Sequence, residues 1–117
     1  MFRVIVAGGR DFDDYDLLEA KMDYLLQNKT ESIVVVCGEA RGADSLGKRY
    51  AKEHGYKIHS FPADWETNGK RAGFIRNVEM AENADALVAF WDGQSKGTKH
   101  MIDTAKTHGL EVRIIYY

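Results

Sequence analysis

The chain has 117 residues, 44% hydrophobic and 29% charged, with a formal net charge of −2. That length suits one domain around one core, and no stretch approaches the roughly 20 consecutive apolar residues of a membrane-spanning helix. The acidic balance counts against a sequence-independent nucleic-acid binder. A single cysteine, Cys37, excludes an internal disulfide framework and a cysteine-based zinc site.

Residues 2–7, FRVIVA, are apolar and β-branched and end at Gly8-Gly9, which predicts a buried first strand. No basic segment precedes this run, so no signal peptide is expected and the cytoplasm is the expected compartment. After the GGRDF loop, Asp13, Asp14 and Asp16 crowd the start of a helix in which Leu18, Met22, Leu25 and Leu26 recur at helical spacing, ending near Asn28. A second buried strand spans 32–37, SIVVVC, and the loop GEARGAD leads to a helix over 43–54 stopped by Gly55. KIHSF, residues 57–61, is a weaker third strand closed by Pro62, the only proline. The loop 62–69, PADWETNG, lacks periodicity and is a candidate lid or binding loop.

A helix is expected from Lys70 to Asn83, a fourth strand over 86–90, and a glycine turn, WDGQSKG, leading to a last helix over 98–108. Residues 111–116 form the fifth strand. Strict alternation of five strands with four helices predicts an α/β three-layer sandwich with a parallel sheet. Rossmann-like order 3-2-1-4-5 is the first expectation and flavodoxin-like 2-1-3-4-5 the second. With the first order, GGRDF meets WDGQSKGT at the switch point, where ligands of such sheets bind.

Four loops carry candidate chemistry. In GGRDF, Gly8 and Gly9 either make only a tight turn or let a ligand approach the backbone, with Arg10 offering its guanidinium fork to a phosphate and Asp11 and Phe12 beside it. The pattern is neither the G-x-G-x-x-G dinucleotide fingerprint nor a P-loop. In GEARGAD, Gly38 and Gly42 bracket a turn that carries Glu39, Arg41 and Asp44; the carboxylates suit ribose hydroxyls, although Asp44 also suits a plain helix N-terminus. GKRAGFIRN brings Lys70, Arg71, Arg76 and Asn77 together, and the first two read equally as a solvated face. In WDGQSKGT, the turn from Trp91 through Asp92, Gly93, Ser95, Lys96 and Gly97 to Thr98 heads a helix, where free N–H groups and the dipole favour a phosphate. Trp65, Phe12 and Trp91 could stack a base, although Trp91 equally suits the edge of the core. His54, His59, His100 and His108 show no metal-ligand spacing, so no metal is expected and no cofactor is required.

These motifs in order, GGRDF, G-x-x-R-G-A-D, G-K-x-A-G-x-x-R-N followed by A-D-A, and G-x-x-x-G-T, resemble the SLOG superfamily of Rossmann-like domains, and in particular its small single-domain YspA-like, YpsA-related branch. The resemblance spans nearly the whole chain as one domain, residues 1–117. It implies a nucleotide-derived ligand such as a nucleoside phosphate, ADP-ribose or an NAD-like molecule, and a homodimer or higher homo-oligomer. The superfamily includes LOG phosphoribohydrolases, which cleave nucleoside monophosphates, and DNA-processing DprA proteins. Arg76, Met80 and Ala84-Asp85-Ala86 are similar in spacing to the LOG segment before the fourth strand. The LOG segment P-G-G-x-G-T-x-x-E, by contrast, is replaced by a longer turn beginning Trp91-Asp92-Gly93, and Met101 stands where the catalytic glutamate would be.

N-glycosidic cleavage passes through an oxocarbenium-like state that a carboxylate stabilises, and methionine cannot supply one. The expectation is therefore a sensor or sequestering domain for a nucleotide-like ligand. A LOG-like N-glycosidase would require Arg76 with Glu39, Asp44, Glu79 or Asp92 in the missing role. A DprA-like single-strand binder is the third possibility, disfavoured by charge.

Overall fold

Alternating side chains let one strand serve two helical layers. In a computed structural model that describes residues 1–117, β1 (Phe2–Gly8) is the central strand of a five-stranded parallel sheet. Its Val4 and Val6 join one core cluster while Ile5 and Ala7 join the other, as the two-residue period of a strand requires. The order is β3-β2-β1-β4-β5, with β2 (Ile33–Cys37), β3 (Lys57–Ser60), β4 (Ala86–Trp91) and β5 (Glu111–Tyr116). The Rossmann-like order is thus the one adopted.

One face is covered by α1 (Tyr15–Leu26) and α2 (Ala43–His54), whose Leu18, Met22, Tyr50 and Ala51 pack on Val4, Val6, Val35 and Val88. Met80 and Ala81 of α4 (Ala72–Glu82) and Met101, Ile102 and Ala105 of α5 (Lys96–Thr107) cover the other, against Ile5, Val36, Leu87 and Ala89. At the amino end of the sheet, Asp85 accepts from the Arg3 backbone N–H at 2.9 Å and from its guanidinium Nη2 at 3.1 Å. The Arg3 guanidinium holds the Asp85 carboxyl below the usual aspartate range.

Several boundaries differ from the sequence expectation, each for a local reason. The first helix, which ends at Leu26, starts at Tyr15 because Asp14 caps it by accepting from the Leu17 N–H at 3.1 Å. The 62–69 segment is not irregular throughout: Asp64 accepts from the Thr67 N–H at 3.1 Å and starts a short helix, α3 (Trp65–Asn68). A 3-10 turn (Gly69–Arg71) then joins α3 to α4, replacing the single helix expected from Lys70 to Asn83. The last helix begins two residues early, at Lys96, because the Ser95 hydroxyl caps the Thr98 N–H. Trp91 belongs to β4 and not to the turn, since β5 runs alongside it and pairs Trp91 with Tyr116.

Candidate functional site

The carboxyl ends of β1 and β4 diverge, since their chains leave toward opposite layers, and the gap between them opens a cleft of about 450 Å³. Gly8 lines it from the end of β1, Gly9, Arg10 and Asp11 from the loop that follows, and Asp44 from the first turn of α2. Trp65, Lys70, Arg76 and Asn77 come from the α3–α4 segment, and Asp92, Ser95, Gly97 and Thr98 from the head of α5. A second groove of about 340 Å³ shares Arg10, Ala40, Trp65 and Arg76 with the first, and adds Gly38, Glu39 and Arg41. Residues from all four sequence motifs therefore meet at the switch point.

Arg76 and Asp44 form the floor. Arg76 donates from Nη1 to the Gly38 carbonyl and from Nε to Asn77 Oδ1 at 3.2 Å. Asp44 is 5% exposed and accepts from the Ala40 N–H at 3.2 Å. Burial pushes its carboxyl above the usual range, while the Ala40 N–H, Arg76, the Gly38 N–H and Arg10 pull in the other direction without overcoming it. Gly38 is needed for a spatial reason: a Cβ there would lie 2.9 Å from both the Arg76 guanidinium carbon and Asp44 Oδ2. Asn77 is buried and bonds His100 Nδ1 at 3.1 Å, and the His100 ring stacks on Phe74 at 4.2 Å. Burial holds that imidazole below its usual pKa.

The opposite wall is the head of α5. Asp92 Oδ1 accepts from the Gln94 and Ser95 N–H groups, both at 2.8 Å, which shapes the turn and holds this carboxyl low. With Ser95 capping Thr98, the N–H groups of Lys96 and Gly97 have no intrahelical acceptor. Gly97 lines the cleft without a side chain to cover them.

The structure sorts the remaining candidates. Phe12 is 3% exposed and stacks on Phe90 at 4.8 Å, so its ring belongs to the core and is closed to a base. Trp91 packs against Tyr116 at 5.8 Å and donates from Nε1 to the Ser95 carbonyl at 3.1 Å, bracing the turn from outside the cleft. Trp65, 53% exposed, is the sequence-picked aromatic that faces it. Gly42 lines neither cavity; with φ 76° it precedes α2 where a Cβ would strike the backbone of Gly9 and Arg10, so it lets two loops lie together. Gly93 and Lys96 also lie outside the lining. Glu39 adopts a left-handed φ of 62° and pairs with Lys48 at 3.1 Å; Ser60 and Lys48 hold its carboxyl low. Asp11 accepts from the Tyr117 hydroxyl at 2.6 Å, so this carboxylate is already engaged.

Sequence reasoning passed over Phe74 and Met80 as lining residues. The signal was present: Lys70, Phe74, Asn77 and Met80 follow the three- and four-residue period of one helical face. Met101, singled out only for the absent glutamate, is 1% exposed and lines the cleft beside Thr98.

Comparison with known proteins fixes the family. The model of the YspA, cpYpsA-related SLOG family (YAcAr) matches residues 2–67, more than half of the chain. The chain belongs to this SLOG family. The Gene 61 protein of Mycobacterium phage D29 is similar to it, 36% identical over 118 residues that cover 96% of this chain and 94% of the phage protein. The X-ray structure of TM1055, a Northeast Structural Genomics Consortium target, superposes with a TM-score of 0.70 at 21% identity, over 96% of this chain and 72% of that one. At that identity the likeness is one of fold. The family match holds GGRDF and GEARGAD, whereas Arg76, Asn77 and the head of α5 lie beyond it. The cleft of this SLOG domain thus draws more than half of its lining from outside the matched span.

Proposed function

We propose that this SLOG domain binds a nucleotide-derived ligand, a nucleoside phosphate, ADP-ribose or an NAD-like molecule, for sensing or sequestration. The observation that carries the proposal is the convergence of Arg10, Lys70, Arg76 and Gly97, whose N–H is uncapped at the head of α5, on one cleft whose rim holds the exposed Trp65 ring. The phosphate rests against Gly97 and Thr98, where the helix dipole and backbone donors favour an anion. Arg10 neutralises it from a planar fork of donors, and Arg76 from the guanidinium N–H groups that Gly38 and Asn77 leave free. The base lies on Trp65.

Isothermal titration and thermal-shift assays with AMP, cyclic nucleotides, NAD and ADP-ribose test this, with Arg76→Ala as the paired variant. A ligand present at 100 times its dissociation constant adds about 2.7 kcal/mol to stability, so a true ligand raises the melting midpoint by several degrees. Arg76→Ala is expected to lose at least tenfold in affinity. A ligand that stabilises parent and variant equally removes Arg76 from the site, and no stabilisation by any of them overturns the proposal.

A second reading, N-glycosidic cleavage, is favoured by Asp44, the one buried carboxylate in the protein and a lining residue of the cleft. It predicts free base released from a nucleoside monophosphate and abolished by Asp44→Asn. The Met101 side chain at the neighbouring wall supports binding without turnover. Chromatography of the incubated nucleotide separates the two readings.

A further inference from the structure

Away from the cleft, the outer seam between α1 and α2 gathers donor atoms that sequence spacing hides. Glu19 and Asp23 stand one turn apart on α1, and His54 is the last residue of α2. His54 Nε2 lies 3.1 Å from Glu19 Oε2 and 3.9 Å from Asp23 Oδ1, and one donor atom of each residue is within 4.8 Å of the other two. Donors bonded to one zinc ion at about 2.0–2.2 Å sit about 3–4 Å from one another. The trio is therefore already close to the spacing of a shared ion.

Three further observations bear on the seam. Its donors are held by neighbours: the Tyr50 hydroxyl donates at 2.7 Å to Asp23 Oδ1, the same oxygen that lies near His54, and the His54 ring is flanked by Tyr50 at 4.1 Å and Tyr56 at 5.8 Å. Such outer contacts are what align metal ligands. Next, the two carboxylates repel along α1, and His54 is the only ion-pair partner of either, since Arg49 is taken by Glu53 at 2.6 Å. Finally, Tyr15, one turn before Glu19, is 9% exposed, and its hydroxyl is the one buried side-chain polar atom in the protein without a hydrogen-bond partner. Burial raises its pKa, and the Glu53 and then the Glu19 carboxylate push it the same way.

The geometry points to a divalent-cation site in which Glu19, Asp23 and His54 ligate a zinc-class ion and clasp α1 to α2. Two carboxylate oxygens and an imidazole suit a first-row transition ion better than a thiolate-seeking one. Water completes the coordination shell. The ligand side chains are 27–53% exposed, so the ion exchanges with solvent.

The test titrates zinc chloride into the untagged, metal-stripped full chain by isothermal calorimetry, with the melting midpoint followed in parallel. One ion per chain and a raised midpoint are expected. Glu19→Gln and His54→Gln should each weaken binding at least tenfold, and Tyr50→Phe several-fold through loss of positioning. Should either ligand variant fail to fold, Asp23→Asn at the more exposed ligand carries the comparison. Cobalt(II) spectra of the parent provide a second readout: visible bands without a thiolate charge-transfer band are expected. No zinc binding by the parent, binding unchanged in the ligand variants, or a thiolate band implicating Cys37 would each overturn the assignment.

Discussion

Asp44 and Gly38 show how closely the floor of the cleft is built. Burial raises the Asp44 carboxyl above its ordinary value. A carboxyl raised in the folded state contributes most below its unfolded pKa, near 4, and that contribution is lost as pH climbs through the folded value. Keeping the group ionised therefore costs stability. Asp44→Asn should unfold at higher urea than the parent at pH 7, with the gap closing toward about pH 4, while ligand affinity falls. A variant less stable than the parent at pH 7 would contradict this account. Gly38→Ala works in the other direction: its methyl group strikes Arg76 and Asp44, and overpacking of this kind costs about 1–3 kcal/mol. Urea unfolding should register that loss together with weakened ligand binding.

At the scale of elements, caps and cross-strand ties set where helices and strands begin. Ser95 starts α5, and Ser95→Ala should lower stability by about 1 kcal/mol, read as a shifted urea midpoint at constant slope. Asp85 ties the amino end of β4 to β1 through Arg3. Because Arg3 lowers its pKa, this stability is fully present above the unfolded aspartate value near 4 and fades as pH falls through the folded value. Their side chains are 34% and 38% exposed, so solvent screening holds the tie to about 1 kcal/mol. Asp85→Asn should therefore lose about that much at pH 7, with the gap to the parent narrowing as pH falls below about 4. Element boundaries were legible where the signal is local, as in α2, which runs from Ala43 to a left-handed Gly55 as expected. They were not legible where a distant partner decides. Trp91 is a strand residue because Tyr116 pairs with it, 25 positions away in the sequence.

Across the whole molecule, the apolar runs of β1, β2 and β4 and the alternation with helices made the sheet order readable, since few topologies satisfy right-handed crossovers. The convergence of loops followed from that order. Which side chains face the cleft did not, because direction depends on tertiary neighbours. Phe12 looked like a base stacker until Phe90 claimed it, and the seam of Glu19, Asp23 and His54 joins residues up to 35 positions apart. The chain carries a net charge of −2, yet its cleft concentrates Arg10, Lys70 and Arg76. Anionic ligand binding should therefore weaken several-fold between about 0.05 and 0.5 M salt, as calorimetry would record, because the Debye length shrinks severalfold over that range.

The central position of β1 also sets an order of events during synthesis. Its β2-facing edge finds a partner early, but its other edge must wait for β4, roughly 80 residues later. At about 5–20 residues per second, that edge stays unpaired on the ribosome for several seconds. Val4, Ile5 and Val6 lie on it, and an open apolar strand edge invites pairing with other chains. The arrangement that creates the cleft thus leaves the nascent chain with one unpaired apolar strand edge until Ala86–Trp91 emerges.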